Sequence, residues 1–228
     1  MRKIVAIILL IIIATGIRLS LVEIPFGSPD AKEVGRHYVK EGVEETGSAN
    51  VVTSVVVNYR GFDTLGEVTV LFIASIGLGA VLTANNVEEK KRKIQPASMV
   101  LYTGCRLLFP LILVFGCYIF IHGHLTPGGG FQGGAIIASG FLLIYLGCRE
   151  RRINRMASNL AESLGGLIFV VTGLLGLAFG GHFLLNFLPK GTVNALFSAG
   201  VIPIIYIAIG FKVGSELTSI IDNLIEES

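Results

Sequence analysis

Residues 99–121 read MVLYTGCRLLFPLILVFGCYIFI, an apolar run that contains one charged side chain, Arg106. A helix needs roughly 20 mostly apolar residues to cross a hydrocarbon core about 30 Å thick. The run therefore predicts a membrane-spanning helix. Five further runs share its character, and together they predict six spans, at residues 4–21, 65–83, 99–121, 131–146, 164–188 and 195–211.

The overall composition is typical of a chain embedded in a lipid bilayer. Of the 228 residues, 52% are hydrophobic and only 15% are charged, too few to cover a soluble globule of this size. The net charge is +2, and no basic stripe with interleaved aromatic residues is present, so a nucleic-acid partner is not expected. The expected fold class is an all-α integral membrane protein with six transmembrane helices.

The distribution of basic residues predicts the orientation in the membrane. With a cytoplasmic N-terminus, twelve of the 18 Lys and Arg residues fall inside, among them the runs at 90–93 and 149–155 and Lys212 after the last span. Cytoplasmic segments carry an excess of Lys and Arg, so both termini are expected in the cytoplasm. Arg2 and Lys3 also suit a signal peptide, but no small-residue cleavage site follows, and the first run is kept as a helix.

A charged run at residues 88–93, followed by Pro96, predicts a domain boundary. It separates a two-helix module at 1–87 from a four-helix module at 96–228, with a charged cytoplasmic linker at 88–95. In the outer segment, short surface helices are predicted at 31–40, after a helix start at 28–30, and at 50–59, with a break at 42–49. An amphipathic tail at 212–228 predicts a helix that lies at the interface or continues the last span.

The segment YRGFDTLGE at residues 59–67 carries a base and two acids at the mouth of the second span. Arg60, Asp63 and Glu67 stand at i, i+3 and i+7, which places them on one face if the segment is helical. Carboxylates in a low-dielectric site have raised pKa values and can exchange protons, so this face is a candidate ion path. The alternative is a salt bridge that only positions the helix.

The segment HGHLTPGGGFQGG at residues 122–134 cannot sustain a stable helix and predicts a turn between two spans. Small residues at 130, 134 and 138 favour close helix packing, which is the structural interpretation of the motif. Nucleotide binding is rejected because the Lys and Ser/Thr of a phosphate loop are missing. The Gly-rich motif comprises Pro127, Gly128, Gly129, Gly130, Phe131, Gly133 and Gly134.

Three further titratable residues are candidates for an ion path. His124 suits proton transfer or a structural role, and its spacing from His122 makes the two poor co-ligands for a metal. Glu162, at the start of the fifth span, either joins a path or stabilises the helix end. His182, deeper in the same apolar stretch, lines a polar path or fills a packing gap. No metal site, cofactor or catalytic centre is predicted, and Cys105, Cys117 and Cys148 are interpreted as small buried residues.

Both motifs resemble the Mrp or Mnh multisubunit sodium/proton antiporters and the membrane arms of related hydrogenases and sulfur-reducing complexes. Residues 96–211, with the Gly-rich motif, resemble the MnhB/MrpB subunit. Residues 50–67 resemble the carboxyl-terminal part of the large MrpA subunit, which archaeal complexes encode as a small MbhE-like protein. Asn58 departs from an acid that is common in relatives. Together the two pieces indicate a fusion of neighbouring subunits.

The resemblance implies a non-catalytic, multi-pass subunit in the plasma membrane of a prokaryote, in the sodium-handling part of a respiratory complex. Its expected partners are MrpA-, MrpC- and MrpD-like subunits, a redox arm, the lipid bilayer, Na+ and H+. The family acids of the 60–67 segment map to Asp63 and Glu67, beside Arg60. Two alternatives are a purely structural assembly subunit and a stand-alone secondary transporter, which would usually show an internal repeat.

Overall fold

The structure, a computed structural model, describes residues 2–23, 31–84, 97–148 and 153–227, and every regular element within those ranges is a helix. The chain divides into two compact units, Met1–Glu41 and Gly42–Ser228. The first unit holds α1 (Arg2–Glu23) and most of α2 (Ala31–Thr46). The predicted linker at 88–95 and the predicted helix start at 28–30 lie outside the described residues.

In the second unit the end of α2 is followed by α3 (Val51–Thr53), which continues without a break into a π-helical stretch, Ser54–Tyr59. The Asn50 side chain accepts a hydrogen bond from the Val52 amide and so caps α3. The helix predicted at 50–59 is therefore present. The long helices follow: α4 (Gly61–Ala84), α5 (Met99–Ile121), α6 (Gly130–Gly147), α7 (Arg155–Gly180) and α8 (Ile202–Glu227).

Five helices in the described part of the chain are long and apolar enough to cross a bilayer. Their spans are Gly61–Leu82, Met99–Ile121, Gly130–Gly147, Arg155–Gly180 and Ile202–Ile225. In α1 the described apolar stretch is shorter, Ile7–Leu19. The prediction of an all-helical, multi-span membrane protein is confirmed, with five candidate spans among the described residues.

Helix α8 lies at the centre of the second unit and packs against α4, α5, α6 and α7. Its buried face includes Ile205, Tyr206, Ile209 and Val213. Glycines let α6 approach its neighbours closely. A Cβ atom on Gly134 would lie 2.9 Å from the backbone nitrogen of Gly214 in α8, and one on Gly133 would lie 2.7 Å from the Gly116 carbonyl oxygen in α5. The predicted packing role of these glycines is therefore present at both seams.

The ends of the last two spans differ from the prediction. Helix α7 stops at Gly180 because Gly181 adopts the left-handed conformation that commonly ends helices, with φ 78°. Residues 181–201 form turns, and the expected span at 195–211 and tail at 212–228 become one helix, α8. Lys212 therefore lies inside a span and not at its cytoplasmic end. Hydropathy alone did not show where these helices end, because the turns between them also contain many apolar residues.

The predicted break at 42–49 is also shorter than expected. Helix α2 runs through Gly42 to Thr46, whose hydroxyl donates to the Gly42 carbonyl oxygen at 2.6 Å.

Replacing Gly134 by alanine tests the α6–α8 seam. The new methyl group would meet backbone atoms of Gly214 and Gly210, at 2.9 and 3.0 Å, and these cannot rotate away. We expect the Gly134→Ala variant to lose about 1–3 kcal/mol of stability, measured by thermal unfolding of the complex. Gly104→Ala in α5 is the matched control, because nothing lies within 4 Å of a Cβ there. An equal effect of both substitutions would contradict the packing role.

Candidate functional site

The charged segment at the start of α4 faces outward from the second unit. Arg60 lies between the π-helical stretch and α4, and its Nε and Nη2 atoms contact Asp63 Oδ2 at 2.6 and 2.5 Å. Both side chains are more than half exposed, at 62% and 51%. Glu67 is also exposed, and no ion pair among the described residues reaches it. The structure thus joins Arg60 to Asp63 and leaves Glu67 separate on the same exposed helix.

Backbone carbonyl groups of the Gly-rich turn accept hydrogen bonds from the segment that precedes α4. The Asn50 side-chain amide donates to the carbonyl oxygens of Gly123 and Thr126, at 2.8 and 2.9 Å. Thr53 donates to Gly123 at 2.6 Å, and Ser48 donates to the His124 carbonyl oxygen at 2.9 Å. Carbonyl groups that the turn cannot pair internally are satisfied in this way. The Gly-rich motif is therefore hydrogen-bonded to the segment 48–53, which precedes the 59–67 motif.

The side chain of His124, which belongs to this turn, is fully buried. Neither ring nitrogen has a hydrogen-bond partner that meets geometric criteria among the described residues. Burial lowers the pKa of His124 below its usual value, and backbone groups at Ala195 and Leu196 only partly oppose this. A neutral, enclosed imidazole favours the structural role over proton transfer.

His182 and Glu162 also lie elsewhere than predicted. His182 is not deep in a span but exposed in the turn that follows α7. Glu162 does not cap α7, since Asn154 does so by accepting hydrogen bonds from the amides of Met156 and Ala157. Glu162 stands half-buried two turns further along the helix. The cap at the start of α7 is therefore Asn154 and not Glu162.

An ion pair that the sequence analysis missed lies in the middle of α8. Lys212 Nζ contacts Glu216 Oε1 at 2.6 Å, and the two side chains are only 9% and 0% exposed. The Lys212 ammonium also lies 4.7 Å from the ring centroid of Phe72 in α4, a cation–π distance. The pair is about 15 Å along the helix from Ile202, near the centre of the span.

Helix α7 makes room for this pair and adds a third charge. A Cβ on Gly165 would lie 3.0 Å from Lys212 Cβ, so a larger residue there would crowd the lysine, whereas a Cβ on Gly166 would make an ordinary contact with Lys212 Cδ at 3.6 Å. Glu162, one turn earlier, interacts electrostatically with both Lys212 and Glu216. The second carboxylate oxygen of Glu216 has no hydrogen-bond partner among the described residues. Three ionisable groups thus meet at membrane depth.

A signal for the pair was present in the sequence. Lys212 and Glu216 are spaced i, i+4 and are flanked by apolar residues on both sides. The sequence analysis ended the last span at residue 211 and placed both residues in a tail that either lies at the interface or continues the span, and the structure shows the continuation.

Comparison with known proteins identifies the class. The chain matches a domain related to the MnhB subunit of Na+/H+ antiporters over residues 100–219, and the MbhE family of MBH subunits over residues 1–91. A chain of the membrane-bound sulfane sulfur reductase, an archaeal respiratory membrane complex, is 49% identical, with a TM-score of 0.75, over 98% of this chain and 97% of that one.

Two further relatives come from antiporters. A chain of the Mrp complex from Dietzia sp. DQ12-45-1b is 28% identical with a TM-score of 0.70, over 98% of this chain but only 26% of that one. The B component of the Na(+)/H(+) antiporter of Alkalihalophilus pseudofirmus is 35% identical over 99 residues, which are 42% of this chain and 69% of the relative.

The fold and these similarities define a membrane subunit of an ion-translocating complex. Within that class, the chain belongs to the MnhB-related family of Na+/H+ antiporter subunits, with an MbhE-type segment at its N-terminal end. The predicted resemblance is confirmed.

Acidification tests the buried His124. Because its folded pKa lies below the ordinary value of 6.5, unfolded or opened chain binds the proton first, so stability is full above that value and falls as the pH drops below it. We expect amide exchange in residues 48–53, corrected for intrinsic rates, to quicken between about pH 7.5 and about pH 5.5. His124→Phe should remove this change, while His182→Asn should keep it. The same acceleration in the His124→Phe variant would contradict the assignment.

Proposed function

We propose that this chain supplies one charged element of a cation path in an Mrp-type module, centred on the Lys212–Glu216 pair and neighbouring Glu162. The observation that carries the proposal is the 2.6 Å contact between two almost fully buried charges inside a membrane span. Ionisable residues at membrane depth are rare and generally mark ion or proton pathways. A lysine that passes its proton to a neighbouring glutamate leaves both groups neutral, and return of the proton restores both charges. Such a pair suits proton exchange between subunits.

Energetics favour a functional reason for the pair over a purely stabilising one. Removing two charges from water costs several kcal/mol per ion, and replacing such a pair by apolar residues is often neutral or stabilising. Helix α8 could therefore be held in the bundle without charges. Their presence, with the unpartnered Glu216 oxygen, supports a role in ion movement within the complex.

The wider arrangement proposed here follows the predicted topology. Helix α1 would be the sixth span, both termini would face the cytoplasm, and the module at 1–87 would precede a linker at 88–95 and the module at 96–228. The order of the two family matches supports this division. MrpA-, MrpC- and MrpD-like subunits and a redox arm in the plasma membrane of a prokaryote are the partners we propose.

Single and paired substitutions separate transport from assembly. Glu216→Gln and Lys212→Met each leave one uncompensated buried charge or polar group, and we expect a loss of about 3–5 kcal/mol of stability. The double variant, Lys212→Met with Glu216→Gln, removes both charges and should restore assembly on a native gel. Its sodium-dependent proton movement in vesicles should nevertheless be lost.

The double variant decides between the proposal and the structural alternative. Normal assembly with normal ion movement would show that the pair only holds α8 in place, and that this subunit serves assembly. A purified chain that moves ions in vesicles without partners would instead favour a stand-alone transporter.

The exposed acids at the start of α4 are a second candidate element. Because Asp63 is already paired with Arg60, Glu67 is the group left to face a neighbouring subunit. We propose that Glu67 passes a proton or sodium ion across that interface, with Asp63 and Arg60 setting the local charge.

Glu67→Gln tests this second element in the intact complex. We expect normal assembly on a native gel, since the side chain is exposed, together with sodium-dependent proton movement reduced about tenfold or more. Normal ion movement in the assembled variant would remove Glu67 from the mechanism, and Asp63→Asn would then be expected to behave in the same way.

A further inference from the structure

Two of the three cysteines lie side by side at one end of the helix bundle. Cys105 is near the start of α5, Cys148 caps the end of α6, and their Sγ atoms are 3.4 Å apart. Both side chains are buried, at 0% and 7% exposed. Their spacing along the chain gave no sign of this contact, because they meet only where α5 and α6 run antiparallel.

The surrounding helices hold the two cysteines in place. A Cβ atom on Gly147 would lie 2.9 Å from Cys105 Cβ, so the glycine lets α5 come close enough for the contact. Ile144 and Tyr145 of α6 enclose the cysteines in one apolar cluster, against which Ile221 of α8 packs. The two sulfur atoms therefore sit where α5, α6 and α8 meet.

The hydrogen bonds of the two thiols direct one sulfur atom at the other. The Cys105 thiol donates to the Tyr102 carbonyl oxygen at 3.1 Å. Because its one proton is used there, Cys105 Sγ is the acceptor in the contact with Cys148, whose thiol is the donor. A lone pair of Cys105 therefore points at Cys148 Sγ. The separation of 3.4 Å lies in the range, about 3–3.5 Å, from which aligned atoms proceed to react.

Neither the third cysteine nor a metal ion offers the pair another partner. Cys117 lies on the same helix as Cys105, about 18 Å further along it. Within the described ranges, no cluster of three or more His, Cys, Asp or Glu side chains could hold a metal ion, whereas soft metals in structural sites usually take four ligands. The chemistry that the geometry favours is the joining of the two thiols.

We propose that Cys105 and Cys148 are the site of a reversible disulfide bond that fastens the start of α5 to the end of α6. Its formation requires the sulfur atoms to approach by about 1.4 Å, to a bond length of about 2.05 Å. The Gly-rich turn already joins the opposite ends of these two helices. The disulfide therefore closes the hairpin at both ends. This proposal does not depend on the proposed ion path.

The oxidant is a small-molecule disulfide, and the exchange takes two steps. Cys148, the more exposed of the two, loses its thiol proton to water and attacks one sulfur of the small disulfide, whose other half departs as a thiolate and takes up a proton. Cys105 then attacks Cys148 Sγ in the mixed disulfide, and the second half departs with the proton that Cys105 gives up. Two protein thiols and one small disulfide become one protein disulfide and two small thiols.

The proposed topology gives this bond a regulatory character. It places the start of α5 and the end of α6 at the cytoplasmic side, where thiols are kept reduced and disulfides are generally transient and redox-sensing. The helices are then joined only while the surroundings are oxidising. The disulfide thus acts as a redox-dependent clamp on this end of the bundle.

Oxidation of the intact complex in vesicles by bis(2-hydroxyethyl) disulfide tests the site. After unfolding in detergent, alkylation of Cys105 and Cys148 should fall about tenfold or more, while that of Cys117 should stay within about twofold of its value before oxidation. Non-reducing mass spectrometry should find the peptides of Cys105 and Cys148 linked. Dithiothreitol added to the folded complex should restore both thiols.

The clamp is tested by thermal unfolding of the complex before and after oxidation. The midpoint should rise in the wild type and in Cys117→Ala, the matched control, because a cross-link restricts the unfolded chain. It should not rise in Cys105→Ala or Cys148→Ala, and if one of these fails to assemble, the other decides alone.

Three results would overturn the proposal. The first is unchanged alkylation of Cys105 and Cys148 in the oxidised wild type, and the second is a mixed disulfide on Cys148 that persists without linkage to Cys105. The third is an equal rise of the unfolding midpoint in wild type and Cys148→Ala. None of these measurements follows ion movement, so their outcome is separate from that of the Lys212–Glu216 experiment.

Discussion

The buried contact between Lys212 and Glu216 constrains the rest of the second unit. Two charges inside a span must be enclosed by protein, because lipid offers neither counter-charges nor hydrogen bonds. Helix α8 accordingly lies at the centre, with α4, α6 and α7 around it. Phe72 covers the ammonium group from one side, and Gly165 and Gly166 allow α7 to approach the lysine stem from another. The central position of α8 and the small residues of its neighbours therefore both follow from the need to enclose the charged pair.

The end of the unit that carries the Gly-rich turn is held by a different interaction. The Gly-rich turn exposes its carbonyl groups, and the segment from Ser48 to Thr53 covers them with side-chain donors. Tyr206 of α8 extends this network by donating to the Thr53 hydroxyl at 2.9 Å. The residues that resemble two separate family motifs thus form one interface within this chain.

The sequence predicted the helical class, the membrane setting and the family, because long apolar runs and unusual glycine clusters are strong local signals. It did not predict the ends of α7 and α8. Much of the segment at 181–201 is apolar, so hydropathy extended both spans into it, and the left-handed conformation of Gly181 shows where α7 stops. That error concealed the buried pair, since Lys212 was assigned to the cytoplasmic end. Hydrogen bonds between residues far apart in the sequence, such as those from Asn50 to the turn at 123–126, cannot be predicted from a local sequence pattern.

The two sets of acids differ in what they can do, and the difference follows from exposure. Asp63 and Arg60 neutralise each other at a surface, where a pair contributes little energy and can open readily to a neighbouring subunit. Glu216 is enclosed, and any change in its charge must be matched by Lys212 or Glu162 nearby. A surface acid suits transfer between subunits, whereas an enclosed pair with a further carboxylate beside it suits coupling, because moving one charge there necessarily shifts the balance of the others.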